Sequence, residues 1–403
     1  MALNHKNMLT RFYVAFLTRI APFYKLAFKT LCKASGQDRP KRVVLLISRK
    51  HDVELLVELH NKAQERKDLN LSFWVVDKCA KRHPKILSEL KEKNIDVETT
   101  VSLLQLIKVL NKFMWTDAFL STVESTTARH KLPHVLTVLA NAVGISTYTM
   151  QHGFENVGLT YCDEIHGPEV KFSAKTVLTW GPTEELPAWV EKETRDKAVA
   201  VGCPKKPVIA GNNPLVSRGE RPIIGIFDNL HWHRYDEKYT ATFLNHLEET
   251  ARQRKEFRFV LKSHPDSIRN RTKELTVRLR SMENVDIADL IEAAEPALTT
   301  PWLLSHALGV ITTPSTIALD GVVSRVPVAV TRYELDLNYY LPLCLLDKLE
   351  DWHTFLNRLM EEAEYCHLKL NGDRFLNRVL VSGDAASRII NLIAGQSDKQ
   401  KYP

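Results

Sequence analysis

Short apolar runs alternate with longer amphipathic stretches over most of the chain. Runs rich in Val, Ile and Leu, such as 42–48 (RVVLLIS) and 223–227 (IIGIF), predict β-strands, whereas the apolar spacing of three and four residues in 53–64 and 238–253 predicts helices. Strands that alternate with helices along a chain favour a parallel sheet covered by helices on both faces. The pattern therefore predicts a doubly wound, Rossmann-like α/β architecture.

One segment interrupts this alternation. Residues 203–221 (CPKKPVIAGNNPLVSRGER) combine prolines, glycines and two adjacent asparagines, which is typical of a loop or linker. The same alternation resumes after it, and 403 residues are enough for two domains of ordinary size. We therefore predict a first domain over 42–205, a linker over 206–221 and a second domain over 222–395.

Ahead of the first domain, residues 1–41 carry a different pattern. Apolar residues recur three or four positions apart with basic residues between them, and residues 1–42 hold nine Lys and Arg side chains against one acid. An apolar face beside a cationic face predicts an amphipathic helix on an anionic membrane surface. A helix that packs on its own domain is the alternative that this pattern leaves open.

The distribution of charge and of apolar residues also limits which partners and which cellular location the sequence predicts. The formal net charge is +7, and it is concentrated in that short segment, which is not the distribution of a protein that reads nucleic acid over a whole face. No run of about 18 uncharged apolar residues is present, so the sequence predicts no membrane-spanning helix. We expect a cytoplasmic protein that binds no nucleic acid and lies peripherally on the inner face of the membrane.

The six cysteines are scattered along the chain, with no closely paired or zinc-type spacing. In a reducing compartment, scattered thiols are usually packing residues. We therefore assign them no metal site and no redox chemistry.

In open α/β sheets, ligands bind beyond the carboxyl ends of the strands. One predicted strand of the second domain ends in the run Lys262, Ser263, His264 and Pro265. An imidazole and an ammonium group at this position suit a phosphate or ribose oxygen. A histidine with purely structural hydrogen bonds is the alternative.

A second run of polar residues joins a predicted strand to the helix that follows it. Thr313, Ser315 and Thr316 lie at the start of this helix, where unpaired N–H groups favour phosphate, although Ser and Thr are also common N-caps. Asp320 lies four residues after Thr316, on the same helix face, and is a candidate ligand for a ribose or else a solvated acid.

A carboxylate ends the first predicted strand of the second domain. Asp228 is a candidate nucleophile or base, and the nearby His231 and His233 are candidate substrate contacts. Asp236, in the same loop, is the reserve candidate for the nucleophile. Two histidines at this spacing do not by themselves indicate a metal site.

The first domain also has a polar strand end. Gln151, His152 and Gly153 close a predicted strand, and Glu155 follows as a candidate general acid or base. A structural loop glutamate is the alternative.

The QHG at 151–153, the HP at 264–265 and the TPST at 313–316 resemble motifs of GT-B glycosyltransferases that use CMP-activated acidic sugars. Among these enzymes the sequence is most similar to the retaining β-Kdo transferases of bacterial capsule and O-antigen assembly, and the resemblance spans about 42–395. It implies two Rossmann-like domains that face an interdomain cleft, the first for the acceptor and the second for the donor nucleotide.

The resemblance also implies roles for the candidate residues. Asp228 would be the nucleophile of a double displacement through a covalent Kdo–enzyme intermediate, and Glu155 would be the acid/base. The donor is a co-substrate with one phosphate, so we expect no cofactor and no metal. The donor-nucleotide contacts would come from Lys262, His264, Pro265, Thr313, Ser315, Thr316 and Asp320. The substrate contacts would come from Gln151, His152, Gly153, His231 and His233.

Other functions remain open at this point. An inverting CMP-sialic-acid-type transferase or a CDP-glycerol-type polymer transferase fits the same fold, and so does a catalytically inert GT-B binding module. For the enzyme, we expect as partners a CMP-sugar donor, a glycan or lipid-linked glycan acceptor, the anionic inner face of the bacterial inner membrane and other glycan-assembly enzymes.

Overall fold

The computed structural model describes residues 15, 18–20, 23, 39–95, 97–101, 106–162, 170–206, 221–264, 267, 273–288 and 298–396. Nearly all of the predicted amphipathic segment and of the predicted linker lies outside these residues, so both stay predictions. The chain divides into two compact units. The first unit comprises Met1–His152, Asn156–Lys205 and Leu380–Pro403, and the second comprises Gly153–Glu155 and Lys206–Val379.

The first unit contains a parallel sheet of seven strands in the order β3-β2-β1-β4-β5-β6-β7. The strands are β1 (Lys41–Ile47), β2 (Leu69–Val76), β3 (Val97–Val101), β4 (Ala118–Ser121), β5 (Ser146–Met150), β6 (Thr176–Thr179) and β7 (Ala198–Ala200). The helices between them are α1 (Asp52–Ala63), α2 (Asp77–Arg82), α3 (Lys85–Glu92), α4 (Leu106–Phe113), α5 (Lys131–Ala142) and α6 (Lys192–Asp196), with short 3-10 turns at Ala128–His130 and Thr183–Glu185.

The second unit contains a parallel sheet of six strands in the order β10-β9-β8-β11-β12-β13. The strands are β8 (Ile223–Asp228), β9 (Arg258–Ser263), β10 (Val285–Ile287), β11 (Ala307–Thr312), β12 (Val328–Thr331) and β13 (Cys344–Leu346). The helices are α7 (Glu237–Gln253), α8 (Lys273–Arg280), α9 (Thr300–His306), α10 (Thr316–Val323), α11 (Leu349–Met360) and α12 (Glu362–Val379), with a 3-10 turn at Asn338–Tyr340.

The central strand of each sheet explains the apolar runs in the sequence. Residues 43–47 of β1 are at most 2% exposed, because β1 pairs with β2 on one side and β4 on the other and has both faces covered. β8 is placed in the same way between β9 and β11. In both sheets the strand order reverses beside this central strand, which is where doubly wound sheets bind ligands. The predicted doubly wound fold is confirmed in both units.

Two edge strands were not predicted from the sequence. β3 has the sequence VETTV, and β13 has only three residues. β3 has three polar residues between its two valines, and β13 is too short to be recognised as a strand from its sequence alone.

The second unit ends earlier than the predicted boundary at residue 395. After Val379 the chain returns to the first unit, where the last helix, α13 (Ala385–Ala394), packs against α1. Ile389, Ile390 and Ile393 are buried there. The sequence shows that α13 is amphipathic, but it does not show which apolar surface the helix covers. No helix among the described residues is long and apolar enough to span a bilayer.

Candidate functional site

Asp228 is buried at the carboxyl end of β8, in the second unit. It is 7% exposed. Ser263 Oγ, at the end of the neighbouring β9, donates to Asp228 Oδ2, and Leu230 N donates to Asp228 Oδ1 over 3.4 Å. The next residue of the chain, His264, donates its backbone N–H to Asp228 O over 2.8 Å. The predicted nucleophile is therefore held in a fixed orientation between two strand ends.

Two predicted site histidines, which follow β8 and β9, stack on each other. The rings of His231 and His264 stack with their centroids 4.1 Å apart and an interplanar angle of 19°. Ser267 Oγ lies 3.2 Å from both the backbone N and the Nδ1 of His231 and so fixes its ring. His233 is exposed and does not join this stack.

The other residues of the predicted HP run are placed less clearly. Lys262 is partly exposed and alternates along β9 with the buried Ser263, so the two side chains leave the strand on opposite faces. Pro265 lies outside the described residues. A role for Lys262 beside a phosphate stays a prediction.

Asn229, at the end of β8, is hydrogen-bonded to the loop that joins β11 to α10. Asn229 N donates to Thr313 Oγ1 over 3.1 Å, and Thr313 Oγ1 donates to Asn229 Oδ1 over 2.5 Å. Asn229 Nδ2 and Tyr235 Oη both donate to Pro314 O, each over 3.0 Å. Asn229 was not among the predicted site residues. Its position directly after the strand-end residue Asp228 could have marked it as a candidate.

Ser315 is the N-cap of α10. Its Oγ accepts a hydrogen bond from Ile317 N over 3.3 Å and lies 3.1 Å from Thr312 Oγ1. Asp320 is partly buried one turn later, and its backbone O accepts from Ser324. Ser315 therefore caps the helix, as the alternative interpretation predicted. The positive end of the α10 dipole lies at the carboxyl edge of the sheet, where Asp228 also lies.

The segment Gly153–Glu155 belongs to the second unit. Phe154 is 1% exposed and stacks on Tyr339 at a centroid distance of 4.9 Å, with Tyr340 and Phe375 also in ring contact. Phe154 N donates to Thr316 Oγ1 over 2.9 Å. A Cβ on Gly153 would lie 3.1 Å from that oxygen, so the close approach favours glycine.

Glu155 forms an ion pair that the sequence did not reveal. Its Oε1 lies 2.7 Å from Arg234 Nη1, and the two side chains are only 10% and 9% exposed. A nearly buried carboxylate paired with a guanidinium is well suited to fixing a segment in place. The acid/base role of Glu155 stays a prediction.

Asp236, the reserve nucleophile, is exposed and acts as the N-cap of α7. Its Oδ1 accepts from Tyr239 N over 2.6 Å. Its role in the described structure is helix capping. Among the described residues, no three His, Cys, Asp or Glu side chains are grouped as metal ligands.

In the first unit, His152 lies in a polar cluster at the carboxyl edge of the sheet. Its Nε2 is 3.2 Å from Arg49 Nη1, and Arg49 Nη2 is 2.5 Å from His130 Nε2. Burial, and then the charge of Arg49, hold the pKa of His152 well below its usual value. Gln151 is 2% exposed and accepts from Trp180 N over 2.9 Å, which is a core contact.

Arg49 and His130 were missed by sequence analysis. Arg49 follows β1 by two residues, so the strand-end rule that selected His152 and Asp228 was the signal that could have found it. His130 lies in a 3-10 turn and has no such signal.

Comparison with known proteins rests on structure alone. No family model matches this sequence, and no curated protein matches it. UDP-GlcNAc 2-epimerase from Neisseria meningitidis, bound to UDP-GlcNAc, superposes with a TM-score of 0.61 at 14% identity, and the match covers 88% of this chain and 100% of that chain. The chain has a two-domain GT-B-like fold.

Two further solved structures are similar to this chain. The wall teichoic acid polymerase TagF, soaked with CDPG, has a TM-score of 0.52 at 13% identity, and the match covers 96% of this chain and 97% of that chain. Anabaena HepE, in complex with UDP and glucose, has a TM-score of 0.55 at 13% identity over 88% of this chain and 98% of that chain. At these identities the likeness establishes the fold.

Proposed function

We propose that this protein is a glycosyltransferase that uses a nucleotide-activated sugar and binds the nucleotide at the carboxyl edge of the second sheet. The observation that carries the proposal is the convergence of Asp228, the His231–His264 stack and the N-terminus of α10 at the strand-order reversal of that sheet. Helix dipole, imidazoles and hydroxyls at one sheet edge suit a phosphate and a ribose. The solved structures with a similar fold were determined with UDP, UDP-GlcNAc or CDPG, which supports a nucleotide-linked donor.

For the donor we propose CMP-β-Kdo, and for the acceptor a hydroxyl of a bacterial surface glycan or glycolipid. In the first step, a carboxylate oxygen of Asp228 attacks the anomeric carbon, the bond from that carbon to the CMP phosphate breaks, and CMP leaves. In the second step the acceptor oxygen attacks the same carbon, the bond to Asp228 breaks, and Glu155 takes the hydroxyl proton. Two displacements retain the configuration. Ser263 and Leu230 support this role because their hydrogen bonds orient the carboxylate.

A CDP-linked donor is the second candidate. The similarity to TagF spans 96% of this chain, and that structure was determined with CDPG. Such an enzyme would transfer a phosphate-linked group in one displacement, with no sugar–enzyme intermediate.

The remaining partners follow from the donor and the charge pattern. We propose that residues 1–41 hold the protein peripherally on the inner face of the bacterial inner membrane, beside lipid-linked acceptors and other glycan-assembly enzymes. We further propose that the transfer needs no metal, because a single phosphate develops less negative charge than a diphosphate.

The intact mass of the full chain after incubation with CMP-Kdo, without acceptor, tests the proposal. We expect a gain of one Kdo residue in the wild type and in Asp236→Asn, the matched control in the same loop, and no gain in Asp228→Asn. A gain that disappears only in Asp236→Asn would move the nucleophile to the reserve residue.

The other outcomes separate the alternatives. CMP release that requires an acceptor, without an adduct, would point to an inverting enzyme. If CMP-Kdo is inert, the same incubation with CDP-glycerol and UDP-GlcNAc tests the other donors. If none of the three donors is consumed with glycolipid acceptors present, the protein is not the proposed transferase.

A further inference from the structure

The side chain of Arg49 has an unusual set of partners in the described structure. Its side chain is partly buried, and its guanidinium hydrogen-bonds to His130 Nε2 and His152 Nε2, at 2.5 and 3.2 Å. Among the described residues it forms no ion pair. A partly desolvated guanidinium whose contacts are two imidazoles is an uncommon arrangement, because buried cations are normally paired with anions.

The hydrogen-bond network identifies His130 as a neutral acceptor, and burial keeps His152 neutral. Ser125 Oγ donates to Thr127 Oγ1 over 3.1 Å, so it accepts from His130 Nδ1–H over 2.7 Å, and the opposite ring nitrogen of His130 is left to accept from Arg49. His152 is neutral because burial lowers its pKa well below the usual value, and its Nε2 accepts from Arg49 as well. Neither ring offsets the charge of Arg49.

The guanidinium retains unused donors. Arginine has five N–H groups in one plane, and the two imidazoles occupy two of them. The remaining three belong to Nε, Nη1 and Nη2 and can donate to the oxygens of a carboxylate or phosphate.

The surroundings hold Arg49 in place and add positive charge. Asp52 is 1% exposed, and its Oδ2 accepts from Ser48 N and Arg49 N, each over 2.7 Å, which fixes the turn that carries Arg49. Burial lowers the pKa of Arg49 most, the charge of Asp52 raises it, and the charge of Arg129 lowers it by a smaller amount.

We propose that Arg49, supported by His130 and His152, binds an oxyanion of the substrate in the first unit. The ligand chemistry is a carboxylate or a phosphate group that presents two oxygens to the guanidinium. The identity of this ligand rests on the proposed function, in which the donor is an acidic sugar and the acceptor is lipid-linked. The carboxylate of the sugar and a phosphate of the acceptor are the two sources.

The test uses the full chain with two simple probes, free Kdo and inorganic phosphate. We expect imidazole nitrogen resonances of His130 and His152 to shift in the wild type when at least one probe is added. Arg49→Lys keeps the positive charge but removes the planar guanidinium. We expect its affinity for the probe to fall about tenfold or more, since each charge-assisted hydrogen bond contributes about that much. Arg42→Lys, on the exposed start of β1, is the matched control and should bind as the wild type does.

Each outcome decides the proposal. A response to Kdo alone identifies a carboxylate site, and a response to phosphate alone identifies a phosphate site. Unchanged imidazole resonances in the wild type with both probes, or equal affinities of Arg49→Lys and the wild type, overturn the proposal. Failure of the proposed function has a different signature, because donor turnover would be absent while the anion response of Arg49 persists.

Discussion

The two units build different chemistry on the same sheet topology. Both sheets are parallel, and in both the strand order reverses beside the central strand, β1 or β8. At that edge the first unit presents Arg49 with two imidazoles, whereas the second presents Asp228 and the N-cap Ser315. The comparison shows that strand order determines where a site forms, and the few residues after each strand determine its charge.

The units also differ in how the site residues are held. In the first unit, a buried carboxylate, Asp52, fixes the turn that carries Arg49 by accepting backbone hydrogen bonds. In the second unit, apolar packing of Phe154 and the ion pair of Glu155 with Arg234 hold the segment 153–155 beside α10.

The largest expected effect is on the apolar packing around Phe154. Phe154→Ala removes a side chain that is 1% exposed and surrounded by three aromatic rings, and we expect a loss of about 3–5 kcal/mol in the free energy of unfolding. Urea denaturation measures it, with Met360→Ala as control, since Met360 is 57% exposed. A loss no greater than that of the control would show that the segment is not held by this packing.

The next effect concerns the ion pair of Glu155. Glu155→Gln removes the carboxylate from Arg234 where both side chains are nearly buried, and we expect a loss of about 3 kcal/mol in unfolding free energy. The matched control is Glu334→Gln, whose pair with Lys238 is 82% and 73% exposed and should contribute at most about 0.5 kcal/mol. Equal losses in the two variants would contradict the contrast between buried and exposed pairs.

A smaller effect is expected from the pH dependence of the first unit. The pKa of His152 is lowered in the folded protein, chiefly by burial and then by the charge of Arg49, so the unfolded chain binds a proton that the folded chain rejects. Stability is therefore present above the unfolded pKa, near 6.5, and is lost as the pH falls below it, by at most about 1.4 kcal/mol per pH unit for one proton.

Urea denaturation between about pH 7.5 and about pH 5 measures this slope, because this range spans the pKa of an unfolded histidine. His152→Asn should reduce the slope by about one proton, while His306→Asn, at an exposed histidine, should leave it unchanged. The other buried histidines are the same in both variants, so they contribute equally to the two slopes. An unaltered slope in His152→Asn would show that His152 does not carry this proton difference.

The positions of the site residues could be predicted where they follow a strand. Asp228, His264 and the Thr313–Thr316 turn were predicted as candidates because the carboxyl ends of parallel strands share one edge, and they lie at that edge of the second sheet. The doubly wound fold was equally accessible, since central strands are buried on both faces and appear as apolar runs.

The partners of these residues could not be predicted, because they come from distant parts of the chain. His130 is 81 residues from Arg49, and Arg234 is 79 residues from Glu155. The return of α13 to the first unit is a similar case, since an amphipathic pattern reveals an apolar face and not its partner surface. Such pairings depend on tertiary packing, which a single sequence does not display.

The smallest expected effect separates helix capping from ligand binding at Ser315. Ser315→Ala removes the N-cap of α10 and should lower the free energy of unfolding by about 1 kcal/mol. Asp384→Ala is the matched control, because Asp384 caps α13 in the first unit by accepting from Ser387 N over 2.9 Å. We expect similar losses of stability in the two variants and weaker CMP binding, by calorimetry, in Ser315→Ala alone. Unchanged CMP binding in both would show that the hydroxyl of Ser315 serves the helix only.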